Sequence, residues 1–108
     1  MKLLSRIEEI ILMAVWSLQG NAYGVTIREH VSKVTGKDWT FGAIYVPLDK
    51  LTQKEFLRKF ASEPTTNRGG RHKCLYEITP EGKEALRQIR EVTNAVWDEA
   101  PDLGFEHS

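Results

Sequence analysis

Two arginines flank a pair of glycines in the segment Arg68-Gly69-Gly70-Arg71. Guanidinium groups bind phosphate oxygens, and the negative potential of a narrow minor groove attracts them. Because the glycines add no bulk, a tip of this composition fits into such a groove. These residues favour nucleic-acid contact, although the same pattern also fits a solvated loop that carries arginines by chance.

The residues that catalysis or metal binding would need are scattered. The three histidines, His30, His72 and His107, have no spacing typical of a triad or a metal site. Cys74 is the single cysteine, so an intramolecular disulfide and a multi-cysteine metal site are excluded. It is either a small buried hydrophobe or a redox sensor beside basic neighbours. We therefore expect no enzyme, no cofactor and no metal.

The composition is that of an ordinary globular domain. The chain has 108 residues, 41% of them hydrophobic and 28% charged, which gives room for one domain with a modest core. A single cysteine fits a reducing compartment, so we expect a cytoplasmic location. The apolar run from Ile10 to Trp16 is too short to span a bilayer, and we expect a helix of the fold there.

The charges are separated along a chain whose formal net charge is zero. Residues 37–73 contain eight basic and four acidic side chains, whereas residues 74–108 contain three basic and eight acidic ones. A zero net charge excludes a uniformly basic nucleic-acid binder. The basic middle segment still fits a phosphate-binding face, because such a face needs only a local excess of cations.

Helical periodicity and capping residues predict three helices in the first half of the chain. The first begins with a capping box at Ser5 and ends near Gly20, and it is apolar nearly all round. The second runs from about Tyr23 to Val34. The third follows Thr40 as N-cap and reaches about Gln53. We predict an inward face on the third helix made of Phe41, Ile44, Tyr45, Leu48 and Leu51.

Two strands and a last helix follow. The strands are predicted at Phe56–Phe60 and Lys73–Ile78, joined by a loop rich in turn formers. The last helix starts after Thr79, is slightly weakened by Gly82, and runs to about Glu99. The fold expected is mainly α with a small β-hairpin, in the order helix, helix, helix, strand, strand, helix. This is a winged helix-turn-helix.

Four stretches together resemble one family. They are Tyr23–Ile27, Phe41–Tyr45, Arg68–Lys73 and Ile78–Gly82, and in this order they are similar to the PadR-like transcriptional regulators in their short form. The resemblance implies a DNA-binding unit at residues 1–78. It also implies a dimerisation helix with a frayed tail at residues 79–108, packed on the same single domain.

Two positions depart from the family pattern. Glu55 stands where a glycine usually follows the third helix, so we expect that helix to run on or to end in a different turn. Pro47 lies deep in the same helix, where it removes the hydrogen bond to the Ala43 carbonyl and should bend the helix.

Several residues are candidates for DNA contact. The small side chains near the start of the third helix allow close approach of the backbone to a groove floor, or merely to another helix. The resemblance implies that the Tyr45 hydroxyl reaches DNA, whereas its spacing alone favours a core aromatic. The DNA-binding candidates are Tyr23, Thr40, Gly42, Ala43, Tyr45, Lys50, Arg68, Gly69, Gly70, Arg71 and Lys73.

A single helix-turn-helix reads few base pairs, so we expect two copies on one duplex. The predicted dimer interface consists of Leu3, Ile10, Met13, Leu86, Ile89, Val92, Thr93, Val96 and Trp97. Trp16 and Trp97 pack within one subunit or line a cleft for a flat hydrophobic effector, a pocket that the resemblance implies for some members.

The function expected is a dimeric repressor on a palindromic operator, with double-stranded DNA, a second copy and a small hydrophobic effector as partners and no membrane. The alternatives are a winged-helix module that binds protein, and a small-molecule-binding dimer without DNA readout.

Overall fold

The computed structural model describes residues 2–61 and 73–101. Its elements follow the predicted order, with two antiparallel strands placed between the third and the last helix. They are α1 (Arg6–Ser17), α2 (Gly24–Thr35), α3 (Phe41–Gln53), β1 (Leu57–Ala61), β2 (Cys74–Ile78) and α4 (Pro80–Glu99). The winged helix-turn-helix prediction is confirmed.

The helices begin at the capping residues that the sequence indicates. Ser5 and Glu8 form the reciprocal hydrogen bonds of a capping box at the start of α1. The hydroxyls of Thr40 and Thr79 accept hydrogen bonds from backbone N–H groups in the first turns of α3 and α4. The end of α1 was predicted two residues too late, because its C-cap is Leu18 and Gly20 takes its positive φ in the turn that follows.

The core surrounds α1, which packs against α2, α3, α4 and β2. This explains why α1 is apolar on most of its circumference. The backbone N–H of Tyr76 donates to the Ala22 carbonyl at 2.8 Å and ties β2 to the turn after α1. The buried apolar residues are Leu4, Ile11, Leu12, Ala14, Val15, Ala22, Ile27, Val31, Ile44, Leu48, Leu51, Leu57, Tyr76, Ile78 and Leu86.

The inward face predicted for α3 is wrong at two aromatic residues. Phe41 and Tyr45 are 44% and 41% exposed, whereas Pro47 is buried beside Leu48. A proline without an N–H is well placed on a buried apolar face, because its ring adds packing surface there. The consequence is an aromatic pair on the solvent side of α3.

The turn from α3 into β1 uses a left-handed residue. Glu55 has φ 66°, the conformation for which glycine is usually selected, so α3 ends here and does not run on. The carbonyl of Glu55 accepts a hydrogen bond from the Thr79 hydroxyl at 2.7 Å. The Thr79 N–H donates to the Phe56 carbonyl at 3.1 Å, so this turn is bonded directly to the start of α4.

Gly82 is a site of close approach, a constraint that its weak helix propensity does not reveal. A Cβ built at this position would lie 2.3 Å from the Phe56 carbonyl oxygen and 2.8 Å from Ile78. The first turn of α4 therefore lies directly on the backbone at the base of the hairpin.

The two strands pair in one antiparallel register, from Leu57 opposite Ile78 to Ala61 opposite Cys74. Both strands begin or end about one residue from the predicted limits. Cys74 is exposed, so its interpretation as a buried hydrophobe is wrong. Burial raises the pKa of the neighbouring Tyr76 hydroxyl, and Cys74 adds to that increase.

Candidate nucleic-acid interface

The start of α2, the solvent side of α3 and Lys73, which precedes β2, meet on one surface. The Lys73 ammonium lies 4.5 Å from the centre of the Tyr23 ring, which joins the strand edge to the N-cap of α2. A Cβ on Gly24 would lie 1.8 Å from the Tyr45 hydroxyl oxygen, so that hydroxyl rests on the backbone of α2. The structure thus brings together Tyr23, Tyr45 and Lys73 from three separate elements.

The first turn of α3 is open to solvent beside this surface. Gly42 and Ala43 are both exposed, and a Cβ on Gly42 would meet nothing nearer than the Thr40 hydroxyl at 3.9 Å. Thr40 accepts its hydrogen bond from the Ala43 N–H at 3.1 Å. A flat surface can therefore approach the backbone at this point, and Gly42 does not pack against any of the other helices that the structure describes.

Two aromatic rings and one guanidinium group, those of Phe41, Tyr45 and Arg28, extend the same surface along α3. The Phe41 and Tyr45 rings stack with their centres 6.2 Å apart, and the Arg28 guanidinium lies 4.7 Å above the Phe41 ring. The Arg28 Nε donates to the Trp39 carbonyl at 2.6 Å. Arg28 is not indicated by the sequence, because no periodic pattern links an α2 residue to the first residue of α3.

Two of the basic residues in the middle segment are neutralised within the chain. Lys54 donates to Glu8 at 2.6 Å and joins the end of α3 to the start of α1. Arg58 pairs with Glu77 across the hairpin and also lies 4.9 Å above the Phe60 ring. Lys50 is exposed further along α3, next to the exposed Asp49. The local excess of cations is therefore smaller than the sequence count indicates.

Four DNA-binding candidates, Arg68, Gly69, Gly70 and Arg71, lie outside the described residues. Lys73, which directly precedes β2, is the described residue nearest to them in sequence, and it borders the surface formed by Tyr23 and Tyr45. The predicted contribution of the arginines stays a prediction.

The residues predicted for a dimer interface fall into exposed, half-buried and buried groups. Val96 and Trp97, near the end of α4, are 63% and 59% exposed, and Leu3 and Met13 are also exposed. Leu86 is 6% exposed in its own core, which leaves a second copy almost no surface to contact. The half-buried positions are Ile10, Ile89, Val92 and Thr93.

The two tryptophans proposed for an effector cleft lie apart. Trp16 is half-buried, and the Lys83 ammonium lies 5.4 Å from the centre of its ring. Trp97 lies about 20 Å further along α4 than Lys83, at a helical rise of about 1.5 Å per residue. Trp16, Met13 and Leu86 line an open cavity of about 510 Å³ that Lys83 and Arg90 also border.

The comparison with protein families decides the classification. Residues 11–88, well over half of the chain, match the model of the transcriptional regulator PadR-like family. This chain belongs to the PadR-like family. The family consists of transcriptional regulators, not enzymes, and its members bind DNA.

Solved structures of similar proteins share the fold of this PadR-like chain. RosR from H. salinarum is 25% identical, with a TM-score of 0.65, over 92% of this chain and 82% of that chain. A PadR-like regulator from Bacillus cereus is 21% identical, with a TM-score of 0.68 over 85% and 84%. A PadR-like transcription factor from Bacteroides fragilis is 21% identical, with a TM-score of 0.67 over 87% and 89%. No curated protein matches the chain as a relative.

Within residues 2–61 and 73–101, no group of three or more histidine, cysteine or acidic side chains could hold a metal ion. No helix in the same part of the chain is both long and apolar enough to cross a bilayer.

Proposed function

We propose that this PadR-like regulator is a sequence-specific repressor that binds a palindromic operator as a homodimer. The observation that carries this proposal is the common surface formed by the start of α2, the solvent side of α3 and Lys73 before β2. We call α3 the recognition helix, because a winged helix inserts its third helix into the major groove.

The candidate residues of the recognition helix and of the segment between the strands have defined roles in this proposal. The exposed small residues Gly42 and Ala43 let the recognition helix approach the base edges closely. Thr40 and Lys50 contact phosphates near the two ends of that helix, and Tyr45 contacts the DNA from its position on Gly24. Beyond the described residues, Arg68 and Arg71 enter the adjacent minor groove, with Gly69 and Gly70 keeping the tip narrow.

The proposed dimer forms through α4. This helix belongs to residues 79–108, which pack on the DNA-binding unit of residues 1–78 and complete the single domain. The last turns of α4 expose Val96 and Trp97, although large apolar side chains are normally buried. Burial against Leu3, Met13 and Ile10 of a second copy would remove that surface from water. Two recognition helices would then be presented to one duplex, as a palindrome requires.

The proposed effector is a small hydrophobic molecule that binds beside Trp16. The cavity there, about 510 Å³, falls within the range usual for small-molecule sites. Since Trp97 of the same chain lies far along α4, it can complete this cleft only when a second copy supplies it. An effector bound between subunits would shift the spacing of the recognition helices and thereby change operator affinity.

A mobility-shift titration tests the DNA-binding proposal. The probe is the DNA upstream of the chain's own gene, compared with a shuffled duplex of equal length at two salt concentrations. We expect tighter binding to the upstream DNA, and binding to both probes that weakens steeply with salt. Equal affinity for the two probes would contradict sequence specificity, and binding that does not respond to salt would contradict a phosphate-contacting surface.

A protein-binding module is the second candidate function. It is favoured by the exposed apolar side chains of α3, namely Phe41, Tyr45 and Val46. The same titration separates the candidates, because a protein-binding module would leave both DNA probes unshifted at low salt.

A further inference from the structure

Arg28 is fixed against the start of the recognition helix by two contacts, neither of which involves a carboxylate. Its guanidinium lies 4.7 Å from the centre of the Phe41 ring, and its Nε donates to the Trp39 carbonyl at 2.6 Å. The Trp39 ring is itself fixed, because its Nε1 donates to the Thr35 hydroxyl at 2.9 Å. Arg28 is half-buried, so its side chain is held by packing as well as by the hydrogen bond.

The contacts of Arg28 use only part of its hydrogen-bonding capacity. A guanidinium has five N–H donors, and the bond to Trp39 uses the one on Nε. Within the described ranges, no carboxylate lies within 4.0 Å of Arg28, in contrast to Arg58 and Arg87. The guanidinium carbon lies over the Phe41 ring, and within the described ranges no hydrogen bond engages either terminal nitrogen. The terminal nitrogens are therefore positioned in advance for an anion with two acceptor oxygens.

We propose that Arg28 is a phosphate ligand for DNA at the edge of the recognition helix. This inference rests on the proposed function and adds a residue of α2 to its contact surface. In this proposal the Phe41 ring orients Arg28. This accounts for the exposure of the Phe41 ring, which core packing does not explain. A phosphate contact fixes the register of the protein on the duplex but does not read sequence, so the contribution of Arg28 is the same on any duplex.

The test compares Arg28→Ala, Arg28→Lys and the wild-type chain on the upstream duplex and on the shuffled duplex. Affinities are measured by fluorescence anisotropy over a series of salt concentrations. For a dimer that loses two phosphate contacts, we expect Arg28→Ala to reduce the slope of log K against log salt by about 2 on both duplexes. Affinity at low salt should fall on the order of tenfold. Arg28→Lys keeps the charge, so the slope should stay close to the wild-type value while affinity falls about threefold.

Lys33→Ala is the matched control, because Lys33 is an exposed cation on the last turn of the same helix. It should leave the slope unchanged. An Arg28→Ala slope equal to the wild-type slope would overturn the inference while leaving the proposed function intact. Loss of the slope in Arg28→Lys as well, with a lowered melting temperature, would assign Arg28 a structural role and also overturn it. A wild-type chain without salt-dependent DNA binding would overturn both proposals.

Discussion

Single backbone positions decide how the recognition helix joins the rest of the molecule. Glu55 holds a left-handed conformation at the end of α3, where a side chain costs about 1 kcal/mol relative to glycine. Gly82 has the opposite constraint, since a Cβ there would meet the Phe56 carbonyl oxygen at 2.3 Å. Both positions lie at the junction of α3, β1 and α4. The junction can accept glycine in place of Glu55, but it has no room for a side chain in place of Gly82.

Glu55→Gly should stabilise the protein. Removing the Cβ relieves the left-handed strain, and we expect the free energy of unfolding to rise by about 1 kcal/mol in urea titrations. Lys50→Gly, at an exposed position within α3, is the control and should destabilise by a similar amount. A Glu55→Gly chain less stable than the wild type would contradict the strain at this turn.

Gly82→Ala and Gly42→Ala should have opposite effects on stability, although both place alanine in the first turn of a helix. The added methyl at position 82 meets backbone and should cost about 2 kcal/mol. At position 42 it meets open space, so better helix propensity should add about 0.5 kcal/mol. Chemical denaturation of both variants checks the pair, and a neutral Gly82→Ala would show that the junction can shift.

The helices and strands are the part of the molecule that the sequence predicts best. Caps at Ser5, Thr40 and Thr79 depend on local hydrogen bonds, so the residues themselves indicate where α1, α3 and α4 begin. The exposed aromatic pair on α3 and the contact of Arg28 with Phe41 depend on how α2 and α3 cross, which no local pattern records. The sequence therefore indicates Tyr23, Tyr45 and Lys73 as members of the candidate DNA-binding surface. It does not indicate Arg28.

The ion pair between α1 and α3 makes stability dependent on pH. Partial burial raises the pKa of Glu8. The Lys54 ammonium and the hydrogen bonds from Ser5 together lower it by more than burial raises it, so the pKa lies below the ordinary value of 4.5. Because the folded pKa is below the unfolded one, this contribution is complete above about pH 4.5 and is lost as the pH falls through the folded value.

Glu8→Gln should therefore lower the free energy of unfolding by about 1 kcal/mol at pH 7 and have a much smaller effect at pH 3. Urea titrations at the two pH values measure this difference. Glu29→Gln, on the exposed side of α2, is the control and should change neither value appreciably. A deficit for Glu8→Gln that is the same at both pH values would contradict the ionic origin of the effect.

At the scale of the whole molecule, α4 has two parts with different surroundings. Its first turns pack on α1 and β2, and Leu86 completes the core. From Asn94 onward every described residue is exposed, including Val96 and Trp97. The second part has no partner within the described chain, which agrees with the proposed dimer.

Val96→Asp should convert the proposed dimer into a folded monomer. The added charge would have to be desolvated in an apolar contact, so the dissociation constant should rise at least about tenfold in sedimentation experiments. Asn94→Asp adds the same charge on another face of α4 and should leave the association unchanged. A Val96→Asp chain that sediments like the wild type would place the interface elsewhere.

The bonds from Thr79 to Glu55 and Phe56, together with the contact at Gly82, tie the end of the recognition helix to the start of the long final helix. Through this junction a rotation of α4 acts on α3 as on the other arm of a lever. A molecule that altered how two such levers cross would change the separation of their far ends without deforming either subunit.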